Sequence, residues 1–160
     1  MDTPVEDSPQ PDDHYAYLMA QHRAIKARNL DAIDREFVAD ELENEIRSQQ
    51  RDVSVLLEEM LYQLLHLSCG LIQRDGPRWQ IWNYRAVDHL RQRICSFTRD
   101  DTTLRLYCIE NYEDLYARAR TKFQFVLKYE INPIYVPDVA PWSFETIMED
   151  EFEPIQYPIM

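Results

Sequence analysis

A twenty-residue run at positions 53–72, VSVLLEEMLYQLLHLSCGLI, decides the fold class before anything else is read. Its apolar residues fall at Val53, Leu56, Leu57, Met60, Leu61, Leu64, Leu65, Leu71 and Ile72. From Val53 to Leu65 the gaps alternate three and one, and Ser68 carries the phase on to Leu71: the stripe of a 3.6-residue helix and not the alternation of a strand. Val55 and Leu67 widen the stripe, so the run reads as a central helix that other elements cover.

With only two glycines, Gly70 and Gly76, the chain cannot supply the positive-φ turns of a strand-and-hairpin protein. It also cannot build a phosphate-cradling P-loop or a dinucleotide fingerprint, which need two and three glycines at fixed spacing. The expectation is an all-α bundle: four main helices around the long central one, then a short C-terminal helix after an extended Pro-containing segment.

The chain carries 29 acids against 17 Lys and Arg, but the excess is confined to its ends. Residues 1–13 hold five acids and residues 129–160 seven, with no Lys or Arg in either, which leaves 14–128 balanced at 17 against 17. Acidic tails on a neutral body disfavour a nucleic-acid mimic. Cys69, Cys95 and Cys108 are widely spaced, form no CxxC pair, and read as buried thiols in a reducing compartment. An acidic, Pro-rich start is the opposite of a signal peptide, and no run of ~18 apolar residues could span a membrane. A cytoplasmic protein is expected, with an acidic tail at 1–11, one helical domain over 12–154 and a tail at 155–160.

Along the chain, Asp12 or Asp13 suits the cap of a first helix to about Arg28, with Tyr15, Leu18 or Met19, His22 and Ile25 inward and Asn29 at its stop. Asp31 and Asp34 restart a helix that meets no Gly or Pro until residue 70, bent near Ser48–Asp52 or overhanging the bundle. Gly70 and Asp75–Gly76–Pro77 turn the chain. A third helix follows from about Trp79 to Phe97, with Trp79, Trp82, Ala86, Leu90, Ile94 and Phe97 inward. Asp100 or Asp101 caps a fourth that carries Leu104, Tyr107, Cys108, Tyr112, Leu115, Ala119, Phe123 and Val126 on one side. Pro133 and Pro137 hold 131–139 extended. Ser143 opens the last helix, ending near Glu151, with Phe144, Ile147, Met148 and Phe152 pinning the tail.

Weak site candidates are Glu41, Glu45, His66 and Arg85. Glu41 and Glu45 stand i, i+4, and extending the apolar phase back from Val53 puts both near the core face, where a carboxylate needs a partner. A metal or acid–base site with His66 would require the helix to fold back, since His66 lies five turns or more away. No Glu-x-x-His pair for a di-iron bundle occurs. Salt bridges to Arg85 or Arg118 account for the acids equally well, and His66 reads as a core histidine among leucines. No cofactor or metal is expected. The third helix interleaves Arg78, Arg85, His89, Arg91, Arg93 and Arg99 with Trp79, Trp82 and Tyr84. Its inward tryptophans and diluting aspartates favour a solvated face over a nucleic-acid surface.

Three stretches resemble a bacterial family of helical proteins, the domain of unknown function twenty-nine: DDHYAYLMAQHRAIKARNLDAID at the start, VADELENEIRSQQ followed by LLHL, and PWSFETIMEDEFEP at 141–154. Asp40, Glu41, Glu43 and His66 match the family pattern, whereas Ser68, Cys69 and Gly70 replace its Leu-Lys-Trp. Trp142 replaces a Tyr, and Ala140 stands where a Cys is frequent. The resemblance implies an all-helical bacterial protein and no activity. The sequence therefore favours a non-enzymatic interaction protein with a protein partner, including a homodimer through the long helix, and neither nucleic acid nor membrane. The alternatives are a metal-dependent or acid–base enzyme acting on nucleic acid or nucleotide through Glu41 and Glu45, and an acidic inhibitor or antitoxin-like partner.

Overall fold

The computed structural model describes residues 14–69, 77–128, 134–150, 152 and 154. The expected tails, the capping Asp12 or Asp13, the 70–76 turn, residues 131–133, Glu151 and the side chain of Trp79 lie outside the described residues. The elements are α1 (His14–Lys26), a 3-10 turn (Leu30–Ala32), α2 (Arg35–Ser68), α3 (Pro77–Thr98), α4 (Thr102–Glu110), α5 (Tyr112–Leu127) and α6 (Phe144–Ile147). Among the described residues there is no strand, and the all-α expectation holds. The long helix is helical at every residue from 35 to 68. The chain divides into two compact units, residues 1–47 and 48–160.

In the first unit, α1 ends in a Schellman closure. Asn29 N–H donates to Ala24 C=O and Arg28 N–H to Ile25 C=O, both at 3.0 Å. The left-handed residue is Arg28 (φ 53°), not Asn29. Asp34 starts α2: its Oδ1 accepts from Phe37 N–H at 3.0 Å, and its own N–H donates to Gln21 Oε1 at 2.7 Å. Tyr17 sets its ring edge-on to Phe37 at 4.6 Å and donates its hydroxyl to Asp34 Oδ2 at 2.8 Å. These contacts turn α1 so that Gln21 and Ala24 are buried, while Tyr15, His22 and Ile25 of the expected face are exposed.

In the second unit the expected stripe is the core. Val53, Leu57, Met60, Leu61, Leu64 and Leu65 are sealed from solvent and pack with Val87, Ile94, Leu104, Leu115, Tyr116, Phe123, Phe144 and Ile147. Each such side chain contributes about 1.5–3 kcal/mol of burial. Val55, expected to widen the stripe, is exposed. Pro77 begins α3 at a position where its missing N–H costs no hydrogen bond.

The expected fourth helix is two, joined at Asn111. Asp101 caps α4, its Oδ1 accepting from Leu104 N–H at 2.8 Å. At Asn111 (φ −98°, ψ 5°) the backbone leaves helical geometry, and the side-chain amide donates to Tyr107 C=O at 2.8 Å, which its own N–H also reaches. Val126 is exposed. Ser143 caps α6, which stops at Ile147 and not near residue 151. Phe144 and Ile147 are buried, with Met148 and Phe152 half-buried against the core, as expected of the segment that pins the tail.

The third helix is turned by about one residue from the expected phase. Asn83, Val87, Arg91, Ile94 and Thr98 are buried, and Trp82 is 75% exposed. Buried Arg91 sets this rotation. Its Nε donates to Ile147 C=O at 2.9 Å and its Nη1 lies 2.6 Å from Asp88 Oδ1. A charged inward residue hides the helical stripe from any reading of hydropathy.

Candidate functional site

The four sequence candidates separate between the units. Glu41, in the first, is half-buried and lies 3.6 Å from His14 Nε2 across the α1–α2 pair. Glu45 is exposed. In the second unit, Arg118, offered as a partner for these acids, pairs with Glu58 at 3.2 Å. His66 is buried, with the rings of Tyr62 and Phe123 edge-on to it at 4.6 and 4.8 Å. Burial pushes its pKa down to about 4, with Glu59 pulling it up and Lys122 pushing it further down. The imidazole is therefore neutral near pH 7 and packs as an aromatic. Lys122 Nζ bridges to Glu59 Oε2 at 2.7 Å and stands 4.5 Å over the Tyr62 ring.

Arg85 is exposed on α3, and its surroundings make the most distinctive surface of the second unit. Trp82, Arg85, His89 and Arg93 recur at steps of three and four, which aligns them on one helical face. All four are exposed, and Arg85 and Arg93 make no ion pair among the described residues. Asp88, the only acid of α3, is taken by Arg91. Ile81, 52% exposed, widens the apolar part beside Trp82. Sequence reasoning found the arginines but put Trp82 inward. The signal that would have corrected it is Val87 with Ile94, a pair on the phase opposite to the tryptophan.

The first unit bears a second bare face, on α2. Leu42 and Ile46 stand one turn apart, 61% and 55% exposed. Glu41, Glu43 and Glu45 alternate with them, and Arg47 is held by Glu43 at 2.5 Å. Leu42 and Ile46 share the helical phase of Val53 and Leu57, so the stripe that is core further along α2 is uncovered here.

Among the described residues, two cavities can be outlined. One of about 500 Å³ is bordered by Ser54, Tyr107, Asn111, Asp114 and Arg118, with Ser54 Oγ 3.2 Å from Tyr107 Oη. One of about 350 Å³ lies between the α3–α4 corner and α6, where Arg99 and Arg105 face Glu145 and Glu149. Ser54 in the first is bonded to Tyr107 and not to a carboxylate or imidazole, and in the second Cys95 shares the lining with Glu145 and Glu149 without a hydrogen bond to either among the described residues. Burial pushes the Cys69 thiol up to about 12 and the Cys108 thiol up to about 11, so neither supplies a thiolate near neutral pH. Among the described residues no three His, Cys, Asp or Glu side chains are grouped so as to hold a metal ion. None of the described helices is long and apolar enough to cross a membrane.

Compared with known proteins, residues 11–153 match the model of a family described as a domain of unknown function, DUF29. No curated protein and no solved structure matches the chain.

Proposed function

The chain belongs to the DUF29 family, whose description assigns no activity, and from that premise we propose that it is a non-enzymatic, cytoplasmic protein–protein interaction module that binds through the outer face of α3. One observation carries the reading: Trp82 is 75% exposed on the same face as Arg85 and Arg93. A tryptophan on water forgoes about 2 kcal/mol of burial. Trp and Arg are also the residues that dominate binding energy when a partner covers them. The free cysteines suit a reducing compartment.

A photoreactive amino acid at position 82, introduced in the native host, tests this. A discrete protein adduct is expected at 82, absent from the same probe at exposed Thr121 on α5 and lost when Arg85→Glu is added. Equal labelling at 82 and 121 would refute a binding role for this face.

A further inference from the structure

Two arginines and two glutamates stand unpaired around one cavity, the space of about 350 Å³ between the α3–α4 corner and α6. Cys95 and Arg99 line it one helical turn apart, and Arg105 joins them from α4. Glu145 and Glu149, again four residues apart, line it from α6 and the turn that follows. None of the four charged side chains makes an ion pair or a side-chain hydrogen bond among the described residues. The cavity beside Ser54 differs in this respect, because its arginine, Arg118, is already held by Glu58 at 3.2 Å. Cations on one wall and anions on the other set up a field across the space between them. We propose that this cavity binds a free α-amino acid with an apolar side chain, its carboxylate on Arg99 and Arg105 and its ammonium on Glu145 and Glu149.

The walls select both ends of such a ligand. A carboxylate accepts at two oxygens and an ammonium donates three hydrogens, so each end can serve two partners. A simple anion would suit the arginines but meet the glutamates as a like charge, and a simple cation would do the reverse. A dipolar molecule meets both walls. The floor between them is apolar: Phe144 is buried and Met148 half-buried, with the Cys95 thiol half-buried beside them. The Thr98 hydroxyl also borders the cavity but donates to Ile94 C=O at 3.0 Å. That floor suits an aliphatic, thioether or aromatic side chain. A volume of about 350 Å³ lies at the small end of ligand sites and gives room for one amino acid. Neither Trp82 nor Arg85, His89 or Arg93 borders the cavity, so the proposal stands or falls separately from partner binding on the outer face of α3.

Isothermal titration calorimetry of the full chain with L-leucine, L-methionine and L-phenylalanine tests this. The controls are 4-methylpentanoate and 3-methylbutylamine, which are leucine without its ammonium and without its carboxylate. At least one of the three amino acids should bind one-to-one with a Kd on the order of 100 μM. The two controls should bind at least tenfold more weakly, each lacking one set of charge-assisted bonds. The bound amino acid should slow thiol labelling of Cys95 in proportion to occupancy and leave Cys69 and Cys108 unchanged. Arg99→Gln with Arg105→Gln, and Glu145→Gln with Glu149→Gln, alter only exposed side chains and should keep the far-UV circular dichroism of the wild type. Each pair should lower the affinity at least tenfold.

No heat and no Cys95 protection from any of the three amino acids at 10 mM overturns the inference. Binding of 4-methylpentanoate or inorganic phosphate as tightly as the amino acid also overturns it, since an anion alone would then suffice. Amino-acid binding that survives both double variants places the ligand elsewhere and overturns it as well. The controls and the Cys95 readout use the wild-type chain, so neither depends on how the variants fold.

Discussion

Replacing His66 with leucine should flatten the acid side of the stability profile. The native imidazole is 8% exposed between Tyr62 and Phe123, and burial holds its pKa at about 4 against 6.5 in the unfolded chain. The folded state resists the proton. This histidine's contribution is therefore intact above pH 6.5, declines as pH falls from 6.5 towards 4, and changes no further below that. The full shift corresponds to ~3 kcal/mol at most. Between about pH 7.5 and pH 5 the linkage gives ~2 kcal/mol, reduced to about 1–2 because the ring is not wholly sealed from water. Stopping at about pH 5 keeps most carboxylates ionised. His14, His22 and His89 are common to both proteins and cancel in the difference. Urea unfolding at the two pH values, on wild type and His66→Leu, measures it. The wild type should lose about 1–2 kcal/mol more than the variant between them. Equal losses within about 0.5 kcal/mol, or a His66 proton resonance that titrates near 6.5 in the folded chain, would refute the assignment of a neutral buried ring.

Arg28→Gly should stabilise the chain by about 0.5–1 kcal/mol in thermal or urea unfolding, because glycine takes the left-handed conformation at φ 53° without a Cβ clash. Arg91→Met should cost about 1.5–3 kcal/mol, the value of a charge-assisted bond to a buried carbonyl, and release α6 from α3. Its signature is a red shift of tryptophan emission as Trp142, buried against the Phe152 ring, meets water. Thiol labelling of the native chain at about pH 8 should modify half-buried Cys95 well before Cys69 and Cys108, whose raised pKa values and burial both slow them; prompt labelling of Cys69 would contradict its placement in the core.

Apolar periodicity made the second half of α2 legible, since every apolar residue of the stripe from Val53 to Leu65 is buried and only Ser54 joins them as a buried polar side chain. Caps were legible for a related reason: Asp101 and Ser143 act within three residues of themselves, so their effect is written locally. The rest depended on contacts between segments distant in the chain. Gln21 is buried because Asp34 donates to it, and Arg91 because Ile147 offers a carbonyl 56 residues away. Both place a polar residue where hydropathy expects an apolar one, and both displace a neighbouring stripe outward. The break at Asn111 belongs to a third kind: the side chain competes for a carbonyl that the backbone would otherwise use alone. Among the candidate site residues, Glu41 and Glu45 drew attention through a phase argument that slipped by one residue. Leu42 and Ile46, not Glu41 and Glu45, hold the phase of Val53 and Leu57, and one residue is ~100° of helix, so Glu45 points off the stripe and is exposed.

Arg91 inward and Trp82 outward are one event, not two. The residues stand nine apart on α3, so they lie on opposite sides of it, and no rotation of the helix buries both. Turning the tryptophan in would gain about 2 kcal/mol or more of burial and would expel Arg91, leaving the Ile147 carbonyl and the end of α6 without their anchor. It would also draw Val87 and Ile94 away from the core. The combined loss exceeds the gain, so the rotation that docks the C-terminal segment is the same one that holds Trp82 on the surface. The exposed tryptophan is therefore fixed by the packing of the folded unit and needs no partner to bring it out. It is preorganised, and a partner that covers it recovers burial without first having to rearrange α3.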